Sequence, residues 1–210
     1  MDCNLSMIVS LSSLWQHSCA ALKNNWSKAV LAYLIFAMIS MAAGFVPGVG
    51  SFAGILLYPL TAGYALFCLR LIRQQNPDTD LIFEPFKDYG RMLWCGLRVT
   101  IFVLLWSLLF IIPGIIASYR YTLTCYIVLD DENISIKEAM QKSCRLMKGH
   151  KLQLFGYSIL FGFINCAALI LTLGIALIWL IPFFSTFMAN FYQAIKNQTE
   201  APYTAGQITE

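Results

Sequence analysis

Long apolar runs alternate with short polar segments along most of the chain. Each apolar run has roughly 15 to 20 residues, and a helix needs about 20 apolar residues to cross a bilayer. Charged or turn-forming residues delimit six predicted transmembrane helices, at residues 27–46, 52–71, 92–112, 114–129, 152–173 and 175–194. The pattern predicts an all-α, polytopic helical membrane protein whose integral membrane domain covers residues 27–196.

Short uncharged breaks separate the two helices of each predicted pair. They fall at Pro47-Gly48, Pro113-Gly114 and Leu173-Gly174, about 60 residues apart. Because proline and glycine favour tight turns, we expect the six transmembrane helices to form three hairpins. The regular spacing favours an internal repeat of one hairpin unit. The alternative is that any protein built from membrane hairpins shows the same alternation.

Two polar segments have the periodicity typical of helices that lie on a membrane surface. Residues 1–26 are predicted to form an N-terminal amphipathic interfacial helix. Its apolar face is made by Leu11, Leu14, Trp15, Ser18, Leu22 and Trp26. Residues 135–148 are predicted to form a second interfacial helix, because Ser135 and Glu138 have the spacing of a capping box. Residues 197–210 lack a hydrophobic period and are predicted to be a disordered cytoplasmic tail.

The composition differs from that of an ordinary soluble domain. Hydrophobic residues make up 59% of the 210 residues and charged residues 12%, whereas soluble domains are about half apolar and a quarter charged. The seven cysteines include no CxxC pair, which argues against a disulfide framework or a zinc site. Paired carboxylates, a histidine cluster and an activated nucleophile are all missing from the sequence pattern. We therefore expect a non-enzymatic protein without a cofactor.

The distribution of basic residues orients the predicted spans, because cytoplasmic loops carry an excess of lysine and arginine. If the chain turns at Pro113-Gly114, every lysine and arginine except Arg120 falls on one side, with both termini and all acidic residues. If the third apolar run instead continues to Arg120, five spans result and the basic residues from Lys137 to Lys151 face outward. We therefore predict six spans with both termini in the cytoplasm.

Arg120 lies near the middle of the predicted fourth span, where an arginine costs about 2.5–3.5 kcal/mol on insertion scales. Its neighbours Ser118, Tyr119, Thr122 and Tyr126 are polar. Ser118, Thr122 and Tyr126 step by four residues, so they are predicted to share one helix face. This face is a candidate intramembrane polar site for an anion. The alternative, equally favoured, is a structural arginine bonded to backbone carbonyls.

A second candidate site lies at the start of the predicted fifth span, where Lys148, His150 and Lys151 are close in sequence. Basic side chains at the cytoplasmic end of a span can contact lipid phosphates. The alternative, which the positive-inside rule favours, is that these residues only fix the topology of the chain.

Five segments of the chain resemble one bacterial family. They are ALKNNWSKAV, FKDYGR, LLWSLLFIIPGIIASYRYTLTCYIVLDDE, SIKEAMQKSCRLMKGHKLQLF and LTLGIALIWLIPFFSTFMANFY. Over about residues 20–195 they resemble the family called domain of unknown function 975. The resemblance implies a multi-pass protein of the bacterial cytoplasmic (inner) membrane without an assigned activity. It also implies a distant similarity to the membrane domain of glycerophosphodiester phosphodiesterases, and hence a connection with lipids.

The leading hypothesis is a non-enzymatic membrane protein that binds lipid or a membrane partner at a basic cytoplasmic face. Its expected partners are membrane lipids, with a second membrane protein or further copies of the chain, and no nucleic acid. The alternative is a small transporter or exporter component that uses the polar face around Arg120. We expect no charge other than Arg120 inside a span. This argues against transport, because coupled transporters use such charges as relays.

Overall fold

The structure is a computed structural model that describes residues 10–23, 25–45, 53–75, 77–109 and 111–206. Within these ranges the chain is helical, without strands, so the all-α prediction is confirmed. The helices are α1 (Leu11–Lys23), α2 (Trp26–Gly44), α3 (Ala53–Leu56), α4 (Tyr58–Ile72), α5 (Tyr89–Leu109), α6 (Ile111–Tyr121), α7 (Thr124–Asp130), α8 (Ile136–Leu146), α9 (Lys151–Thr172) and α10 (Leu177–Gly206). A 3-10 helix, Thr79–Phe86, lies between α4 and α5.

Four helices are long and apolar enough to cross a membrane: α2, α5, α9 and the Leu177–Thr199 part of α10. They coincide with four of the six predicted spans. Large apolar side chains are exposed along α2, α5 and α9, including Met38, Leu108 and Leu171. Such extensive apolar exposure is costly in water, which agrees with a membrane protein.

The second predicted span, 52–71, is shorter and interrupted. The turn at Leu57 separates α3 from α4, and Pro59 lies in the first turn of α4. Proline is tolerated there because its missing N–H has no acceptor within the helix. The 15 residues of α4 span about 22 Å at 1.5 Å per residue, less than the hydrocarbon thickness of about 30 Å.

The fourth predicted span, 114–129, is also interrupted, because α6 ends at Tyr121 and α7 begins at Thr124. The chain does reverse between α5 and α6, but not at Pro113-Gly114 as predicted. Pro113 and Gly114 lie in the first turn of α6. A Cβ on Gly114 would lie 2.7 Å from the Cα of Ser107 in α5. Gly114 therefore permits α5 and α6 to pack closely, and it does not form the turn between them.

The contacts between α5 and α6 show that the two helices are antiparallel. Gly114 lies against Ser107, and further along Tyr121 packs on Phe102 with ring centroids 6.1 Å apart. The predicted break at Leu173-Gly174 is confirmed, since both residues have positive φ angles of 51° and 91°. The predicted break at Pro47-Gly48 lies outside the described residues.

The core of the molecule surrounds α4 and α10, whose inner faces are fully buried. Phe67 and Leu71 of α4 and Phe187 and Phe191 of α10 are among the largest buried side chains. Within the predicted N-terminal helix, Leu11–Lys23 form α1, whose Leu14, Ser18 and Leu22 are buried, whereas residues 1–9 lie outside the described residues. These three buried residues pack on α10, where the Asn190 amide donates to the Leu14 carbonyl and the Ser18 hydroxyl.

The predicted second amphipathic helix is α8, and its capping box is present. The Ser135 hydroxyl oxygen accepts from the Glu138 backbone N–H, and the Glu138 carboxylate accepts from the Ser135 N–H. At the other end of the chain, α10 continues to Gly206, so the tail predicted to be disordered from residue 197 is helical to that point. The Thr199 hydroxyl donates to the Ile195 carbonyl, which continues the helical bonding pattern beyond the apolar part.

Candidate functional site

The structure does not assemble the predicted polar face around Arg120. The Ser118 hydroxyl donates to the Ile115 carbonyl at 2.7 Å, and the Thr122 hydroxyl donates to the Ser118 carbonyl at 2.8 Å. Both hydroxyls are therefore bonded within their own helix. The interruption between α6 and α7 breaks the four-residue step from Thr122 to Tyr126.

The two tyrosines of that predicted face pack into the molecule on different helices. Tyr119 makes an edge-to-face contact with Phe155 of α9. Tyr126 is buried and stacks on Tyr192 of α10, with ring centroids 5.3 Å apart. Tyr119 and Tyr126 thus join helices together, and neither forms a common site with Arg120.

Arg120 instead lines a basic cleft between α5, α6 and α8. The cleft has a volume of about 660 Å³. Its charged lining is Arg98 of α5, Arg120 of α6, and Lys137 and Arg145 of α8, and its other lining residues are Phe102, Tyr121, Met140, Gln141 and Cys144. We refer to the four cations with these neighbours as the basic cleft. It has no acidic lining residue among those that the structure describes.

The cationic side chains of the basic cleft point to an external partner rather than to an ion pair within the described residues. Within the described part of the chain, Arg98, Arg120, Lys137 and Arg145 form no ion pair or side-chain hydrogen bond. Four like charges around one cleft repel one another, and this repulsion is relieved when an anion binds between them. The lining of the basic cleft is therefore electrostatically complementary to an anion.

Docking of α8 against α6 forms one wall of the cleft. The hydroxyl of Ser143, on the buried face of α8, donates to the Arg120 backbone carbonyl at 2.7 Å. That carbonyl lies in the last turn of α6, so no backbone N–H of the same helix donates to it. Ala139 and Met140 are buried on the same face of α8, so the basic residues of α8 are held beside Arg120.

Arg98, Lys137 and Arg145 were not predicted as residues of this site. All three were predicted to lie on the cytoplasmic side, although Arg98 falls within the predicted span 92–112. In the structure Arg98 lies nine residues after Tyr89, the first residue of α5. Arg98, like Arg120, therefore lies within an apolar helix, which corrects the expectation that no second charge lies inside a span. The presence of Arg98 inside an apolar run was the signal that could have identified it.

The second predicted site, Lys148, His150 and Lys151, is not a uniform basic patch. Lys148 is exposed and Lys151 is partly exposed, but His150 is buried. The His150 Nδ1 lies 3.2 Å from the side-chain Oε1 of Gln153, and the Gln153 side-chain Nε2 donates to the Tyr157 hydroxyl at 2.8 Å. His150 thus bonds within the protein, and a contact with lipid remains open only to the two lysines.

A charged network that the sequence did not reveal lies at the ends of α4 and α7. The Asp130 carboxylate pairs with Arg73 at 2.6 Å and with Lys196 at 2.5 Å, and it accepts a hydrogen bond from the Tyr192 hydroxyl at 3.0 Å. Burial alone raises the pKa of Asp130, but the hydrogen bonds and charges of Lys196 and Arg73 outweigh it. The pKa is therefore lowered, and Asp130 is ionised at neutral pH.

The described residues contain no group of three or more His, Cys, Asp or Glu side chains placed to hold a metal ion. The basic cleft is thus the arrangement with the clearest binding chemistry in this part of the chain. Its cations and its aromatic and thioether side chains suit a ligand that has both an anionic and an apolar part.

Residues 108–199 match the model of a family described as "Protein of unknown function (DUF975)". The chain is similar to this family over that range. The matched range contains Arg120, Lys137 and Arg145 of the basic cleft, but it begins after Arg98. Neither the comparison with curated proteins nor the comparison with solved structures found a match.

Proposed function

We propose that this protein is a non-enzymatic membrane protein that binds the phosphate group of an anionic lipid in the basic cleft. The observation that carries the proposal is the convergence of Arg98, Arg120, Lys137 and Arg145 on one cleft without an acidic residue. Basic pockets between membrane helices on the cytoplasmic side are suited to lipid head groups.

Arginine is well suited to this role. Its planar guanidinium donates two parallel hydrogen bonds to a phosphate, and it stays charged at any physiological pH. Arg98 and Arg120 come from two adjacent antiparallel helices, so they can hold a phosphate from two directions. The apolar surface beside the cleft continues along α5, where Ile101 and Leu105 are exposed. We propose that the acyl chains lie against this surface.

The proposal includes a membrane topology. In it, the chain crosses the cytoplasmic membrane of a bacterium, and α4 and the α6–α7 segment return it to the cytoplasmic side, so that both termini are cytoplasmic. The antiparallel packing of α5 and α6 supports this arrangement. The arrangement places the basic cleft toward the cytoplasmic leaflet, where α8 contributes Lys137 and Arg145.

Native mass spectrometry of the purified protein with added phosphatidylglycerol tests the proposal. The variant Arg98→Gln/Arg120→Gln should bind the lipid at least about tenfold more weakly, because a hydrogen bond to a charged group contributes about 1.5–3 kcal/mol. Lys23→Gln/Lys87→Gln is the matched control, since it removes two exposed charges outside the cleft. Phosphatidylcholine, which has no net charge, should bind weakly to all variants.

Two results would overturn the proposal. If Lys23→Gln/Lys87→Gln weakens binding as much as Arg98→Gln/Arg120→Gln, the lipid recognises the overall basic surface rather than the cleft. If phosphatidylcholine and phosphatidylglycerol bind equally, the phosphate charge is not recognised at all.

The second candidate is a transporter or exporter component, and one observation favours it. Arg98 and Arg120 both lie within apolar helices, where a charge typically marks a substrate path. Transport predicts flux of an anion across proteoliposomes that is lost in Arg120→Ala. Lipid binding without such flux supports the first function.

A further inference from the structure

The cations of the basic cleft are distributed along its length. Lys137 and Arg145 lie on the same helix, α8, eight residues apart, which corresponds to about 12 Å along the axis. Met140, Gln141 and Cys144 lie between them and also line the cleft. The opposite wall carries Arg98 and Arg120, one on each of two helices. The cleft therefore has a positive charge at each end of one wall, with uncharged side chains in the middle.

We infer that the ligand of the basic cleft carries two phosphate groups joined by a short linker, and that it is a diphosphatidyl lipid of the cardiolipin type. This inference rests on the lipid-binding function proposed above and adds the class of lipid. One phosphate would bind near Lys137 and the other near Arg145. Arg98 and Arg120 would reach the two phosphates from the opposite wall.

The charge of the cleft supports two phosphates over one. Four cations and no acidic lining residue leave a formal charge of +4 on the lining residues. A single phosphodiester supplies one negative charge, whereas a diphosphatidyl lipid supplies two. The second negative charge lowers the remaining repulsion between the cations, and each phosphate accepts its own charge-assisted hydrogen bonds.

The shape of the cleft supports the same conclusion. For one phosphate to contact both Lys137 and Arg145, their side chains would have to extend toward each other along α8. Two phosphates separated by a glycerol linker can instead contact each cation near its own position. The linker would then lie over Met140 and Gln141, which have no charge.

The affinities of cardiolipin and phosphatidylglycerol, compared at equal phosphate concentration, test this inference. Native mass spectrometry of the full chain should show cardiolipin binding at least about tenfold tighter than phosphatidylglycerol. Lys137→Gln and Arg145→Gln should each bring this ratio close to one, because each removes the cation at one end. Arg98→Gln/Arg120→Gln should instead weaken the binding of both lipids. Lys87→Gln, which removes an exposed charge outside the cleft, is the control and should leave the ratio unchanged.

Folding of the variants is verified by their thermal unfolding midpoints. Lys137 and Arg145 are exposed and their side chains make no hydrogen bond or ion pair within the described part of the chain, so the midpoints of their variants should match that of the wild type. Inorganic pyrophosphate is added as a competitor without acyl chains. It should displace cardiolipin only at concentrations about a hundredfold or more above that of the lipid.

The outcomes separate this inference from the proposed function. Equal affinity per phosphate for cardiolipin and phosphatidylglycerol would overturn the two-phosphate ligand while leaving anionic lipid binding intact. Displacement of cardiolipin by pyrophosphate at a similar concentration would overturn a lipid as the ligand. Absence of binding by either lipid would overturn the proposed function and this inference together.

Discussion

The Asp130 carboxylate, in the last turn of α7, forms an ion pair of 2.6 Å with the Arg73 guanidinium that follows α4. Arg73 also donates through Nε to the Gln193 side chain of α10 at 3.0 Å, and Lys196 of α10 contacts the other oxygen of Asp130. The Asp130 side chain is 10% exposed, and those of Arg73 and Lys196 are 28% and 22% exposed. One carboxylate thus ties the C-terminal ends of α4 and α7 to the middle of α10.

We expect Asp130→Asn to lower the free energy of unfolding by about 2 kcal/mol or more. The substitution leaves Arg73 and Lys196 partly buried beside each other without a counter-charge, and breaking a buried pair by removing one partner is strongly destabilising. Thermal unfolding in detergent measures the effect. Asp131→Asn is the matched control, because Asp131 is exposed and, in the described part of the chain, its carboxylate accepts a hydrogen bond only from the local Asn133 N–H. Similar unfolding midpoints for the two variants would show that the network contributes little.

The same network predicts a pH dependence of stability. The pKa of Asp130 is lowered in the folded protein, so its contribution to stability is fully present above the unfolded value of about 3.9. That contribution is lost as the pH falls through the lower, folded pKa, because the unfolded state takes up the proton first. The difference in unfolding midpoint between wild type and Asp130→Asn should therefore be constant from pH 7 to pH 5 and shrink below about pH 4. A difference that stays constant into acid would contradict the ion pair.

The hydrophobic pattern predicts the helices of this protein well, because a membrane helix is encoded by local composition. The range 92–112 corresponds to α5, and 152–173 corresponds to α9 almost residue for residue. The capping box of α8 could also be predicted from the sequence, because it depends on two residues three positions apart. Interruptions such as the one at Leu57 were missed because apolar residues continue across them.

The sites were harder to predict than the helices, because they depend on tertiary contacts. Arg73, Asp130 and Lys196 are far apart in sequence, and nothing in the local pattern indicates that they meet. The sequence shows Arg120 as a charge within an apolar run, but the neighbours predicted for it are residues close to it in sequence. Its actual neighbours across the cleft, Arg98 and Arg145, come from other helices.

The contact between α4 and the 3-10 helix should be sensitive to a single methyl group at Gly63. A Cβ there would lie 1.9 Å from the Ile82 backbone carbonyl oxygen, so the backbone itself would have to move. We expect Gly63→Ala to lower the free energy of unfolding by about 1–3 kcal/mol, the usual range for overpacking. Gly162→Ala is the control, because a Cβ at that position meets nothing within 4 Å and alanine favours the helix. An unchanged midpoint in Gly63→Ala would contradict the close approach.

Loss of the capping box should weaken both α8 and the basic cleft. Ser135→Ala removes the acceptor for the Glu138 N–H, and loss of such a cap costs about 0.5–2 kcal/mol. Because α8 carries Lys137 and Arg145, we also expect weaker binding of anionic lipid. Ser135→Thr keeps the hydroxyl acceptor and should behave like the wild type. If Ser135→Ala lowers stability without any change in lipid affinity, the position of α8 does not control the cleft.

The reversal of the chain between α5 and α6 predicts which residues share one side of the membrane. In a background without the seven natural cysteines, single cysteines replace Asp88, Asp131 and Leu109. Asp88 precedes α5 and Asp131 follows α7, so a chain that crosses and returns places both on the cytoplasmic side. Leu109 ends α5 and is exposed, so it should react with an impermeant maleimide from the opposite side. Labelling of Asp131→Cys from the same side as Leu109→Cys would show that α6 and α7 do not return across the membrane. In that case the basic cleft could not lie at the cytoplasmic leaflet.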